Sequence, residues 1–272
     1  MLAAWLARAH GRICHSHTAK DGAPQTLQRR LYKALMRLLI RCFSTEYWAC
    51  GIEAGKELYG SRWFKRHGKV IQNGIAFSDY QYRKESAEEI RQRYGLEGKF
   101  VIGHVGHYVS VKNQAFLISL MPEVVKKRPN AILLMFGEGE DRGYLSTLIH
   151  ANGLEERVRL MGNVRDICKV LSSFDLFVFP SLYEGTPIAL IEAQANGLPC
   201  LISDCIPDDA CQTELIHRLP LEEKKKWIHA IAFMQREADS TAPSTVEEHY
   251  ESVEHCMACM YRAFMKYHLQ GE

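Results

Sequence analysis

The 272 residues predict an α/β protein with a doubly wound parallel sheet in its carboxyl-terminal part and a smaller, partial α/β domain before it. Three observations carry that expectation. From Phe100 onward, short apolar runs alternate with segments of helical period at the spacing of parallel βαβ units. The runs are near-continuous in Val, Ile, Leu and Phe, as in strands covered on both faces. Charge divides the chain as well: residues 1–84 hold 15 Lys/Arg against five Asp/Glu, a net of +10, which leaves −8 for the remainder of a chain whose total is +2. Such a split fits two modules, the basic one facing an anionic partner.

In chain order, residues 1–10 read as a short helix and Arg12 to Thr18 (RICHSHT) as a strand whose end delivers His15 and His17 to a loop. Asp21 to Pro24 supply turn residues. Gln25 to Phe43 places Leu27, Leu31, Leu35, Leu38, Leu39 and Phe43 at helical spacing, with Arg29, Lys33, Arg37 and Arg41 as a basic stripe. Two readings of that helix stand side by side: an amphipathic element on an anionic membrane surface, or a core-packing helix with a solvated basic face. Tyr47 to Gly51 is a short strand, Ile52 to Tyr59 a helix, and Lys69 to Ile75 a strand ending in a turn at Asn73-Gly74. Phe77 to Lys84 is polar and aperiodic, a linker. The main strands are Phe100 to Val105, Ala131 to Gly137, Val158 to Gly162, Leu176 to Ser181 and Pro199 to Ser203. Helices fall near Asn113 to Arg128, Arg142 to Asn152, Ile167 to Ser173, Ile188 to Asn196 and Leu221 to Gln235, and a last one runs from Val246 to Tyr267. The expected organisation is therefore 1–76 as a partial first domain, 77–98 as linker and first helix, 99–240 as the main domain, and 241–272 as a terminal helix that packs back on the first part.

The stretch Phe179 to Asp204, FPSLYEGTPIALIEAQANGLPCLISD, concentrates the chemistry. Ser181 to Gly185 leaves a strand, Pro187 suits a first helical position, and Gly197 ends the helix. Backbone N–H groups near Gly185 to Ile188 then form an anion site at the carboxyl end of a strand, with a phosphate as its natural guest. Glu184 and Glu192 would flank it. Eight helical rises separate them by about 12 Å, too far for the carboxyl pair of a hydrolase. Carboxylates beside a phosphate site accept hydrogen bonds from sugar hydroxyls; as an isolated pair they are equally ordinary solvated glutamates.

Several function classes lack their signatures. Neither GHVGHYVSVKN nor GEGE is the dinucleotide fingerprint GxGxxG, and there is no Walker A sequence. No DxD pair is present to hold a divalent ion with a diphosphate, which favours neutralisation by Lys and helix N-termini. The nine cysteines follow no disulfide framework, and Cys256 and Cys259 beside His255 form a lone CxxC, so no metal site is expected and a reduced, cytoplasmic setting is. The opening MLAAWLARAHGRI is neither a signal peptide nor a membrane span. No aromatic-basic motif supports nucleic-acid binding.

Four stretches in fixed order, GHVGHYVSVKN (Gly103 to Asn113), LLMFGEGE (Leu133 to Glu140), VRLMGNVRDI (Val158 to Ile167) and FPSLYEGTPIALIEAQANGLPCLISD, together resemble the retaining GT-B glycosyltransferases of family 4, or group 1, and within them the enzymes of capsular and exopolysaccharide synthesis. The likeness covers most of Lys69 to about Ile231. It implies a GT-B fold and assigns roles. Lys112 would bind the diphosphate of a nucleotide-sugar donor with Gly106 and His107, and the Gly185 and Thr186 amides, beside Pro187, would help hold it. Glu192 would bind the ribose hydroxyls and Glu184 the transferred sugar. Gly137, Glu138 and Gly139 with Asn163 and Val164 would line the nucleotide pocket, and His17 would be the catalytic-cleft histidine, with His15 second. Two departures stand out. His107 occupies a position that is usually Arg in the family, and the chain opens inside what resembles the first domain, so the acceptor half would be incomplete.

The implied activity is transfer of a sugar from a UDP- or GDP-linked donor to a hydroxyl of a glycan or lipid-linked acceptor, with retention, with neither metal nor other cofactor. The expected setting is the cytoplasm, with peripheral contact at the inner face of the membrane through the basic first part. The alternatives are a donor-binding remnant that has lost transfer, or a sugar-nucleotide epimerase on the same architecture.

Overall fold

The computed structural model describes residues 1–17, 26–236, 246 and 252–268; the expected turn at Asp21 to Pro24 and residues 247–251 of the expected last helix lie outside them. The chain divides into two units, one comprising Met1–Ile75, Glu184–Thr186 and Tyr250–Glu272, the other Ala76–Tyr183 and Pro187–His249.

The first unit contains α1 (Leu2–Leu6), β1 (Ile13–Ser16), α2 (Leu27–Phe43), β2 (Glu46–Ala49), α3 (Ile52–Tyr59), α4 (Ser61–His67), β3 (Gly68–Val70) and, from the end of the chain, α12 (Val253–His268). Its strands form a parallel sheet in the order β1-β2-β3. Alternation along β2 sorts the core: Tyr47 and Ala49 pack with Tyr59 and Phe64 on one face, Trp48 with Ile71, Cys256 and Ala263 on the other. Helix α4 has no counterpart in the sequence reading, because SRWFKRH buries Phe64 alone and so carries no periodic signal.

Helix α2 corrects the reading of its basic stripe as a solvated face. Lys33 pairs with Glu57 at 2.7 Å, Arg37 donates to the Leu58 and Glu57 carbonyls, and Arg41 donates to the Tyr59 carbonyl at 2.6 Å. These cations close the carboxyl end of α3, where carbonyls lack intrahelical partners and the helix dipole is negative. The leucine stripe faces the other way: Leu27, Leu31, Leu35 and Leu38 are 54–73% exposed, and no described residue of α2 is buried.

The second unit contains α5 (Phe77–Tyr80), α6 (Lys84–Tyr94), β4 (Phe100–Val105), a 3₁₀ turn at Ser110–Lys112, α7 (Gln114–Lys127), β5 (Ala131–Phe136), α8 (Arg142–Ala151), β6 (Val158–Gly162), α9 (Ile167–Ser172), β7 (Leu176–Phe179), α10 (Ile188–Ala195), β8 (Cys200–Ser203), β9 (Ile216–Leu219) and α11 (Lys224–Phe233). All six strands run parallel, in the order β6-β5-β4-β7-β8-β9. Side chains alternate between two cores. Phe100, Ile102, Leu133, Met135, Leu176 and Val178 meet α7, α8 and α11 on one face. Val101, Ile132, Leu134, Phe136, Phe177 and Phe179 meet α6, α9 and α10 on the other. The sheet is thus doubly wound, which is why its strands read as unbroken apolar runs. Edge strand β9, IHRL, escaped the sequence reading because none of its four residues is buried.

Two expectations change here. Phe77 to Lys84 is not a plain linker, since Phe77–Tyr80 fold as α5 with Phe77 buried and Lys84 opens α6. Pro187 is the N-cap of α10 rather than its first helical residue, with φ −78° and ψ 83°.

Candidate functional site

Strand order reverses between β4 and β7: the chain proceeds from β4 outward through β5 and β6, then returns to β7 on β4's other side. A crevice opens outside the carboxyl ends of such a pair, and ligands of open α/β sheets bind there. The loops that follow these two strands are fastened together above it. Leu182 N donates to the Val111 carbonyl at 2.8 Å, and Asn113 Nδ2 to the Pro180 carbonyl at 3.2 Å. Asn113 adopts the left-handed conformation, φ 56°, which Asn tolerates better than most residues. It ends the 3₁₀ turn that carries Lys112, whose Nζ lies 5.0 Å above the ring of Phe179, the last residue of β7. The proposed diphosphate lysine therefore stands at the switch point itself.

Beneath Lys112 the floor is neutral and hydrogen-bonded. His104, fully buried in β4, has Nδ1 3.0 Å from the Val178 carbonyl and Nε2 3.3 Å from Gln114 Nε2. Burial, and next the charge of Lys112, push the imidazole pKa down to about 4, against a backbone hydrogen bond that acts upward. The neutral ring then donates from Nδ1 and accepts at Nε2. Gln114 also donates to the His107 carbonyl at 2.8 Å, bracing the loop from below. His107 itself is exposed, its Nδ1 3.2 Å from the Glu138 carbonyl.

The GEGE turn follows β5 and leans on that loop. A Cβ on Gly137, which has φ 143°, would lie 2.1 Å from the Gly106 carbonyl oxygen; one on Gly139 would lie 2.2 Å from that of Tyr108. Glycine here is a requirement of close backbone approach. Tyr108 N donates to the Glu138 carbonyl and Gly137 N to that of Gly162, while the Glu138 carboxylate pairs with Arg142 at 2.9 Å. Asn163 and Val164 follow β6, two strand spacings from β4, or about 10 Å.

Glu192 sits half-buried on α10, and its Oε1 accepts a 2.7 Å hydrogen bond from the Tyr80 hydroxyl of α5. Burial pushes the carboxyl pKa up, and the Tyr80 bond pulls it back. Nothing in the sequence pointed to Tyr80, which lies in an aperiodic stretch 112 positions away. His104 and Gln114 also went unread. Their only local signal is a polar residue at a core position, visible once burial is known.

Glu184, Gly185 and Thr186 belong to the first unit, where the Thr186 hydroxyl donates to the Cys50 carbonyl at 3.4 Å. Of the loop read as one anion site, Glu184 to Thr186 thus fall in the first unit and Pro187 in the second. In the first unit, His15 and His17 lie with ring centroids 4.2 Å apart at the end of β1. They line a cavity of about 440 Å³ with Tyr32, Lys33, Arg37 and Glu57. His15 Nε2 is buried with no hydrogen-bond partner; burial, then the neighbouring His17, lower its pKa. Among the described residues no cluster of three or more His, Cys, Asp or Glu is arranged to hold a metal ion.

Parallel sheets, double winding and the loop-lined switch point define the class: the fold is that of the GT-B glycosyltransferases. HepE of Anabaena, solved in complex with UDP, matches 96% of this chain and 74% of its own at 19% identity, with a TM-score of 0.78; the same protein with UDP-glucose matches at a TM-score of 0.77 and 20% identity, over 96% and 74%. More particularly, residues 86–208 match the family of "Glycosyl transferases group 1". EpsF of Bacillus subtilis, named as a glycosyltransferase, is 34% identical over 85% of this chain and 61% of its own length. The capsular polysaccharide biosynthesis glycosyltransferase CapH of Staphylococcus aureus is 30% identical over 74% of this chain and 54% of its own. The chain thus spans about half to three fifths of the length of these relatives.

Proposed function

We propose that this chain takes part in polysaccharide biosynthesis as a group 1 glycosyltransferase of family 4, transferring a sugar from a nucleoside-diphosphate donor to a hydroxyl of a glycan or lipid-linked acceptor with retention. The observation that carries the reading is the position of Lys112 at the switch point, above Phe179 and between the loops after β4 and β7. Supporting it, HepE was solved with UDP and UDP-glucose, and an Escherichia coli relative, 28% identical over 73% of this chain and 53% of its own, is named as a UDP-Gal-dependent α-1,3-galactosyltransferase.

In this reading Lys112 and the N–H groups at the start of α10 meet the charge that builds on the diphosphate as the anomeric bond breaks. Gly106, His107 and Gly137 to Gly139 enclose the nucleotide with Asn163 and Val164. Glu192 takes the ribose hydroxyls, Glu184 the transferred sugar, and Gly185, Thr186 and Pro187 carry the chain between them. His17 acts on the acceptor side, beside the cavity it lines. No divalent ion and no cofactor take part. The setting is the cytoplasm, and the exposed leucine stripe of α2 supplies peripheral contact with the inner membrane face.

Binding of UDP, GDP and ADP, followed by thermal shift, tests the donor half: a ligand at a hundred times its dissociation constant stabilises by about 2.7 kcal/mol. Release of nucleoside diphosphate from a UDP- or GDP-sugar in EDTA, with acceptor present, tests transfer. Failure of every nucleotide to shift the melting temperature would sink the proposal.

A further inference from the structure

We propose that Tyr80 is a positioning residue of the nucleotide site: its hydroxyl, 2.7 Å from Glu192 Oε1, fixes the carboxylate so that the other oxygen is left to accept from ligand hydroxyls. The inference rests on the reading of Glu192 as the ribose carboxylate and adds the group that holds it.

The geometry is a clamp. Glu192 and Asn196 are four residues apart, so they share a face of α10 and its last turn. Both bind the same residue: Glu192 accepts from the Tyr80 hydroxyl, and Asn196 Nδ2 donates to the Tyr80 carbonyl at 2.7 Å. Asn196 is fully buried and is itself held, with Nδ2 3.1 Å from Ser172 Oγ and Oδ1 accepting from Arg236 at 3.1 Å. Arg236 in turn lies 4.1 Å over the ring of Tyr82, and Arg83 N donates to Ser172 Oγ at 3.3 Å. The segment from Tyr80 to Arg83 is therefore tied down at three successive points within the second unit, and the phenol has little freedom to leave the carboxylate.

A glutamate on a helix has several rotamers, and binding a diol with one of them forfeits that freedom. A carboxylate already fixed by one hydrogen bond loses less, so the ligand is bound more tightly for the same contacts. Ionisation points the same way. Burial favours the neutral acid of Glu192, while the Tyr80 bond favours the carboxylate that accepts from hydroxyls. Tyr80 is the titratable neighbour acting on Glu192; Cys168 of α9 and Asp79 of α5 act on Tyr80, whose own pKa is raised chiefly by burial and next by Glu192. Without the phenol, Glu192 would take up its proton at a higher pH.

The test is calorimetric titration of the full chain with UDP and with 2′,3′-dideoxy-UDP between pH 5.5 and 8. Tyr80→Phe is expected to weaken UDP about 3- to 10-fold at pH 7 and to move the acid loss of affinity to higher pH, leaving the dideoxy ligand bound as in the parent. In the Glu192→Gln background the same change is expected to add nothing. Unchanged UDP affinity across the pH range in Tyr80→Phe, or equal loss of both ligands, overturns the inference while the nucleotide site stands. Absence of UDP binding by the parent chain overturns the site and the inference together.

Discussion

At the scale of single residues, the proposed donor chemistry turns on Lys112, and its surroundings suit it to that role. The ammonium has an aromatic ring 5.0 Å below it and a neutral histidine in the floor, so neither of these neighbours competes with it for an anion. Lys112→Ala should weaken UDP binding at least tenfold by calorimetry and destabilise the unliganded chain by about 1–2 kcal/mol, because the Phe179 ring under the cation is buried and a cation–ring contact gains strength as it is desolvated. His107→Arg, which installs the residue usual in the family, should hold donor affinity or improve it, since a guanidinium can fork onto a diphosphate; a large loss in the same titration would show that the hydrogen-bonding contact of His107 with the Glu138 carbonyl is required. Both residues were legible in the sequence from the order of motifs around them. His104 was not, because a histidine inside an apolar run announces nothing until its partners, Val178 and Gln114, are known.

At the scale of elements, two glycines six residues apart behave oppositely. Gly137→Ala places a methyl 2.1 Å from a backbone oxygen at φ 143°, so the turn after β5 must move, at a cost of about 2–3 kcal/mol. Gly143→Ala, in the first turn of α8 with nothing within 4 Å of its Cβ, should instead stabilise by about 0.5 kcal/mol or more through helix propensity and the unfolded chain. Urea unfolding of the two variants separates them by sign. Helix α2 shows the limit of reading an element alone. Its period was plain, and its start at Leu27 and end at Phe43 follow from Thr26 and the run before Ser44. Which side it buries was not, since the cations Lys33, Arg37 and Arg41 find their partners on α3, whereas an apolar stripe by itself points the leucines inward.

At the scale of the whole molecule, the last helix belongs with the first sheet. Lys266 of α12 reaches Glu46 of β2 at 2.9 Å, Lys69 reaches the same carboxylate at 3.1 Å, and Trp48 Nε1 donates to it at 3.0 Å. Burial works against the carboxylate, but these donors outweigh it and pull the Glu46 pKa down to about 2 from 4.5. A depressed carboxyl contributes stability that is fully present above its unfolded value and disappears as pH falls through its folded one. The parent should therefore lose an increment of about 2 kcal/mol between pH 4.5 and pH 2, discounted for the solvent-exposed lysines. Glu46→Gln should lack that acid-dependent increment, which parallel denaturation curves at pH 6, 4 and 3 would show; identical pH dependence in the two proteins would remove Glu46 from the account.

The sequence by itself determined the succession of elements in the second unit, strand for strand from β4 to β8, and the fold class that follows from it. It could do so because burial on both faces of a parallel sheet imprints itself locally, as apolar runs of four to six residues separated by helical periods. Glycines under backbone contact and a proline before a helix are local marks of the same kind. Only the tertiary structure decided the strand order, and with it the switch point between β4 and β7 beside which Lys112 stands. It also placed Glu184 to Thr186 with the first unit, turned the basic stripe of α2 onto α3, and joined Tyr80 to Glu192. Each of these depends on partners distant along the chain, brought together by packing, and no periodicity within a short window encodes such a meeting.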